Sequence, residues 1–209
     1  MTEKFSARNE DVVRLIDAYP LAWIVSGAGT DAKASLLPLR AALGDDGSIR
    51  AFAGHLARAN ELAAALIANP MAVVLFLGPQ GYISPSWMAD RTQAPTWNYA
   101  SACFAVKVTF LDDADALRAH LDDLVRAMEH KIGGDWSIQD MRSRFEALAR
   151  RIVAFRADVV SQHDKFKLGQ DERNDVFDDI VKALDTGNDR ALLDLMIGFN
   201  KDRPRRDSR

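Results

Sequence analysis

The sequence predicts a mostly β, α+β protein: an antiparallel barrel with peripheral helices. Three observations carry that reading. Short apolar runs of strand character follow one another in hairpin-like succession, six or more along the chain. Helical stretches fall between only some of them, which excludes the regular strand and helix alternation of a doubly wound sheet. A chain of 209 residues, 48% of them hydrophobic, can also bury a core without disulfides or metal.

The periodicity sets the elements in order. Val12, Leu15, Ile16 and Tyr19 recur at helical spacing after Asn9, a good N-cap, until Pro20 stops the helix. Strands are expected over 21–28, 34–43 and 48–53, with Gly44-Asp45-Asp46-Gly47 as the turn before the third. Pro38 withholds a ladder donor, so the second should be an edge strand or carry a bulge. Asn60 caps a short helix through Ile67, and Asn69-Pro70 breaks it. The continuous apolar run from Met71 to Leu77 reads as a strand buried on both faces. From 78 to 100, Pro79, Pro85 and Pro95 hold Tyr82, Trp87, Trp97 and Tyr99; such rings pack on the core, a partner chain or a flat ligand. A strand over 101–111, helices over 113–131 and 138–150, a strand over 152–160, and helices over 171–184 and 189–198 complete the chain.

Composition removes several function classes. The formal charge is −3, from 27 Lys+Arg against 30 Asp+Glu, which gives no global attraction to nucleic acid. The single cysteine, Cys103, excludes disulfides within the chain and multi-cysteine zinc sites, and it points to a reducing cytosol. Set in an apolar strand, it reads as a buried thiol rather than a nucleophile. No apolar run reaches the ~18 residues that span a bilayer, and the polar start is not a signal peptide, so a cytoplasmic protein without membrane contact is expected.

Little catalytic machinery is legible. The histidines at 55, 120, 130 and 163 form no His-x-x-x-His pair with a glutamate between, so no metal site is expected. His120 and His130 lie on a charged helix and are expected at the surface. Nucleophile elbow, Walker loop and dinucleotide fingerprint are all missing. Three clusters remain. In the first, His55, Arg58 and Asn60 gather where a strand ends and a helix begins; they suit a phosphate monoester or are a helix cap with Arg58 in solvent. In the second, Gly78-Pro79-Gln80-Gly81-Tyr82-Ile83-Ser84-Pro85-Ser86-Trp87 is followed by Pro95-Thr96-Trp97-Asn98-Tyr99; it could hold a planar heteroaromatic or form a dimer contact. In the third, Lys165-Phe166-Lys167-Leu168-Gly169-Gln170 offers two lysines to an anion, or is only a basic turn.

Taken in this order, the three clusters resemble the recurring blocks of the PaiB family, described as FMN-binding negative transcriptional regulators. The similarity runs from about residue 5 to about residue 185. It implies an FMN-binding split β-barrel in which two chains pair and flavin lies at their interface. It further implies that His55, Arg58 and Asn60 meet the flavin phosphate, that Tyr82, Ser84 and Trp87 line the cleft, that Trp97 and Asn98 reach it from either chain, and that Lys165, Lys167 and Gln170 close it. Several positions depart from the family pattern. Leu36 stands where a histidine is common, Met88 replaces an aromatic, Cys103 replaces a histidine, and Gly169 and Asp171 replace a serine and an asparagine. These changes imply a flavin held weakly, mainly through its phosphate.

The expected organisation is a split-barrel domain over 1–170 with inserted helices, C-terminal helices over 171–200 packed on the barrel, and a disordered basic tail over 201–209. A phosphate-seeking arm is the other reading of that tail. The resemblance implies a flavin-binding negative transcriptional regulator, with a flavin-dependent oxidoreductase of small molecules as the alternative. Direct DNA binding finds thin support. In the helix pair 171–184 and 189–198, Arg190 is the one cation of the second helix.

Overall fold

Helix α1, Asn9–Ala18, begins at the residue expected to cap it, and buries Val12, Leu15 and Ile16 as their spacing predicts. The structure is a computed structural model and describes residues 3–187 and 189–203. Seven strands follow: β1 (Leu21–Ser26), β2 (Lys33–Pro38), β3 (Arg40–Leu43), β4 (Ile49–Ala57), β5 (Met71–Ile83), β6 (Thr96–Leu111) and β7 (Ile152–Lys167). The remaining helices are α2 (Glu61–Ala68), α3 (Ala114–Ile132), α4 (Arg144–Ala149), α5 (Asn174–Thr186) and α6 (Arg190–Phe199). The expected second strand is thus two, broken at Leu39, whose N–H donates to the Pro20 carbonyl at 2.8 Å. Pro38 ends β2, an edge strand in the sheet order β2-β1-β5-β6-β7-β4-β3.

The chain divides into two compact units, one of Asn9–Phe76 with Cys103–His163, the other of Met1–Arg8, Leu77–Ala102 and Asp164–Arg209. The first is the barrel. Its strands β2 and β3 stand at opposite ends of the sheet order, yet Leu39 alone separates them. Consecutive Cα atoms lie only ~3.8 Å apart, so the sheet must curl until its two ends meet. Inside, Phe52 lies 5.3 Å from Phe76 and 4.9 Å from Phe104 between ring centres. Gly54 has no room for a side chain, since a Cβ there would come within 2.4 Å of Phe155 and 2.6 Å of Leu39.

The two outer faces of this barrel differ. On β4, alternation puts Ala51, Ala53 and His55 outward, and α3 lies against them with Leu117, His120 and Leu124 buried. Across β2, β1 and β5, Leu36 pairs with Trp23 and Trp23 with Leu75, and all three are exposed, by 43%, 49% and 40%. The run at 71–77 was expected to be buried on both faces; Ala72, Val74 and Phe76 are buried, whereas Met71, Val73 and Leu75 are bare. Apolar composition shows what a strand can bury, and within one chain only half of this one is covered.

In the other unit, α5 and α6 bury Val176, Phe177, Ile180, Leu184, Leu192, Leu193 and Met196. Phe166 of β7 stacks on Phe199 at 5.6 Å, and a Cβ on Gly81 of β5 would come within 2.9 Å of Leu192. Arg203, placed by the sequence in the basic tail, is held fast. Its guanidinium lies 4.4 Å over the Phe177 ring and donates to Asn174 at 2.7 Å, to the Gly169 carbonyl at 2.9 Å, and to the Glu172 carbonyl. The tail from 204 to 209 lies outside the described residues.

Candidate functional site

In the barrel unit, β4 runs to Ala57, beyond the end expected at 53, so His55 is a strand residue. Its Nδ1 lies 3.0 Å from Nε2 of His120. This corrects the expectation that His120 is a surface residue. Its exposure is only 8%, because it sits on the apolar stripe of α3 with Leu117 and Leu124, three residues before it and four after. Burial pushes the His120 imidazole down to about 4, the neighbouring His55 and Arg40 adding to the effect and Asp123 opposing it. Burial lowers His55 as well. At neutral pH both rings are therefore uncharged, and one donates its proton to the lone pair of the other. His130 is exposed.

Asn60 caps α2. Its Oδ1 accepts from the Leu62 N–H at 2.9 Å, and its Nδ2 donates to the Ser35 hydroxyl at 2.9 Å. Arg58, two residues before it, is exposed and donates to Asp112 at 2.7 Å. That pair stands at the rim of a cleft of about 270 Å³, with Leu117, Phe145 and Val153 among its apolar walls and Arg118 and Arg150 among its charges. Sequence reasoning missed this cleft, since its residues come from three separate stretches, at 58, 111–118 and 145–153. Asp112 beside the α3 cap Asp113 was the one available signal. Cys103 is partly buried, and burial raises its thiol away from the reactive thiolate.

In the other unit, Tyr82 and Trp97 meet edge to face at 6.1 Å, with 47% and 53% of their surface exposed. Trp87 is likewise exposed, on a short turn of 3-10 helix that Ser84 caps by accepting from the Ser86 N–H at 3.1 Å. Asn98 is buried, with Nδ2 3.5 Å from the Met196 sulfur. Lys165 is exposed between two rings, its Nζ 5.8 Å from the centre of Tyr99 and 6.0 Å from that of Phe5. Phe5 is a neighbour the sequence did not nominate. Lys167 donates to the Thr96 hydroxyl. Gln170 closes its own turn, accepting from the Leu168 N–H at 2.6 Å and donating to the Phe166 carbonyl. Gly169 has a φ of +80°, and a Cβ there would meet Phe177 at 3.1 Å, so a backbone requirement explains why no serine stands there. Asp171 pairs with Lys4 at 3.8 Å.

A curled antiparallel sheet of seven strands with peripheral helices is a split barrel. The chain belongs to the family described as "Putative FMN-binding domain", which matches residues 1–161. FMN is that family's cofactor. A curated relative is the Bacillus subtilis protease synthase and sporulation protein PAI 2, 26% identical over 149 residues that cover 68% of this chain and 70% of the relative. The same fold occurs in an FAD and heme binding protein from Mycobacterium smegmatis, with a TM-score of 0.59 at 18% identity, covering 86% of this chain and 80% of that one. It also occurs in the flavocytochrome Anf3 of Azotobacter vinelandii, with a TM-score of 0.55 at 13% identity, covering 77% of this chain and 68% of that one.

The side chains present suit a flavin mononucleotide in kind. Arg58 and Lys165 are exposed cations able to meet a phosphate, and Tyr82, Trp87 and Trp97 offer flat faces to a planar ring. Among the described residues, no helix is long and apolar enough to cross a membrane.

Proposed function

We propose that the chain is a cytoplasmic, FMN-binding homodimer of the PaiB kind, whose role is regulatory and depends on flavin occupancy rather than on direct contact with DNA. One observation carries the reading: apolar surface that a single chain has no reason to leave bare. Leu36, Trp23 and Leu75 form a continuous exposed row across β2, β1 and β5, the last of them apolar on both sides. A second copy is the occupant that the family resemblance supplies for such a row. In the barrel unit Arg58 is the contact assigned to the phosphate; in the other unit, taken by itself, Lys165 offers positive charge and Tyr82, Trp87 and Trp97 offer flat faces. Asn60, Ser84 and Gln170 bond to their own turns and so contribute by shaping them.

Bound FMN would supply the redox chemistry. The chain's own part is binding and orientation, because His55 and His120 engage each other as neutral rings and burial keeps the Cys103 thiol protonated. Direct DNA binding is disfavoured, since Arg190 of α6 pairs with Asp185 at 2.9 Å and Asp194 at 3.2 Å. The likeness to a flavocytochrome favours a second reading, a flavin-dependent oxidoreductase. The absorption spectrum of the purified protein tests the shared premise: a yellow sample supports flavin binding, and a colourless one that ignores added FMN sinks it. NADH or NADPH oxidation by the yellow sample would favour the oxidoreductase.

A further inference from the structure

The guanidinium on which the phosphate reading rests already has an anion. Arg58 donates through Nη2 to Oδ1 of Asp112 at 2.7 Å, with 49% and 79% of the two side chains open to solvent. The other arginines of the same cleft are engaged as well. Arg118 donates to Glu146 at 2.7 Å and lies 4.1 Å over Phe145, and Nε of Arg150 donates to the Glu146 carbonyl at 3.2 Å. Four carboxylates, Asp112, Asp113, Asp115 and Glu146, face three guanidiniums, so the rim is negative by one charge. A cleft built only to attract phosphate would have the opposite balance. Asp113 has a structural duty as the cap of α3, accepting from the Asp115 N–H at 3.1 Å. Asp112 instead holds one of the donors that a phosphate would use.

We infer that Asp112 is an internal competitor for the flavin phosphate, an affinity-setting residue that holds one donor of the Arg58 guanidinium until FMN displaces it. The inference rests on the reading of Arg58 as a phosphate contact. Exposed ion pairs are weak, and a phosphate with more charge and three acceptor oxygens makes the stronger partner for a guanidinium, so the exchange runs toward the ligand. Asp112 keeps its charge after displacement, within one screening length of the incoming phosphate, and so opposes binding twice. Salt weakens the attraction of Arg58 and the repulsion of Asp112 together. Affinity in the parent chain should therefore change little with ionic strength.

The test titrates FMN and riboflavin into the full chain, the Asp112→Asn and Arg58→Ala variants, and the double variant, at two salt concentrations. Asp112→Asn should bind FMN about 2- to 5-fold more tightly, the range an exposed ion pair supports, and should show a steeper loss of affinity with salt. Riboflavin, without a phosphate, should bind both proteins alike, and the gain should vanish when Arg58 is also replaced. An unchanged FMN affinity, an equal gain for riboflavin, or a gain that survives without Arg58 would overturn the inference while leaving Arg58 as a phosphate contact. Should Arg58→Ala alone bind FMN like the parent, the phosphate reading falls first and this inference with it.

Discussion

The barrel has two outer faces that solve the same problem differently. Against β4, small residues such as Ala51 make room for α3, whose Leu117, His120 and Leu124 are covered. Across β2, β1 and β5, large residues such as Trp23, Leu36 and Leu75 remain bare although their registers align them in one row. The difference teaches where each face finds its cover. A helix of the same chain closes the first, and the second keeps its large side chains exposed. The covered face also carries the polar pair His55 and His120, so it contains a buried pH-sensitive contact.

The sharpest way to break this comparison is to truncate a leucine on each face. Leu117→Ala should cost about 3 kcal/mol of folding stability, as a buried leucine does, whereas Leu36→Ala should change it by less than about 0.5 kcal/mol in a dissociated chain. Urea unfolding at low protein concentration reads both, and equal losses would erase the distinction. Next, Trp23→Lys should weaken self-association by at least about 2 kcal/mol, the scale of an interface hot spot, while leaving the monomer folded. Sedimentation that shows the same dimer for parent and variant would place the interface elsewhere, for instance at the aromatic segment 78–99.

Acid should separate the faces as well. The folded-state value of His120, about 4, lies below its unfolded value of 6.5, so the neutral ring favours the folded state. Its contribution is complete above about pH 6.5 and is lost as the pH falls toward about 4. A loss on the order of 2 kcal/mol between pH 7.5 and pH 4.5 should disappear in a His55→Leu, His120→Leu double variant; a parent whose stability ignores that range would contradict the burial of the pair. A further, modest effect belongs to the other unit. Gly169→Ser should cost about 1 kcal/mol through its left-handed backbone and its approach to Phe177, without improving FMN affinity.

Much of the fold was legible because its cues are local. Pro20, Pro38, the Gly44 to Gly47 turn, Asn60 and Asn69-Pro70 each punctuate the chain where the elements change. The burial of His120 was not legible from charge composition, since helix α3 is charged on most of its surface and only its 3.6-residue phase puts that ring inward. Nor could local pattern show that Gln170 closes its own turn or that Arg58 meets Asp112, fifty-four residues away. Motif reading selected residue types suited to a phosphate and a flat ring. Which of them are already engaged depends on segments that only the folded chain brings together.

The single residue between β2 and β3 also has a bearing on how the chain is made. Hairpins β1–β2 and β3–β4 join neighbouring segments, but β4 completes its pairing only with β7, with Ala51 opposite Asp158. Translation delivers the second partner of β4 only when β7 begins at Ile152, long after β4 ends at Ala57, so until then the nascent chain presents an unpaired edge beside a phenylalanine core. Such late, long-range closure makes folding slow and puts the period of greatest aggregation risk before β7 emerges from the ribosome.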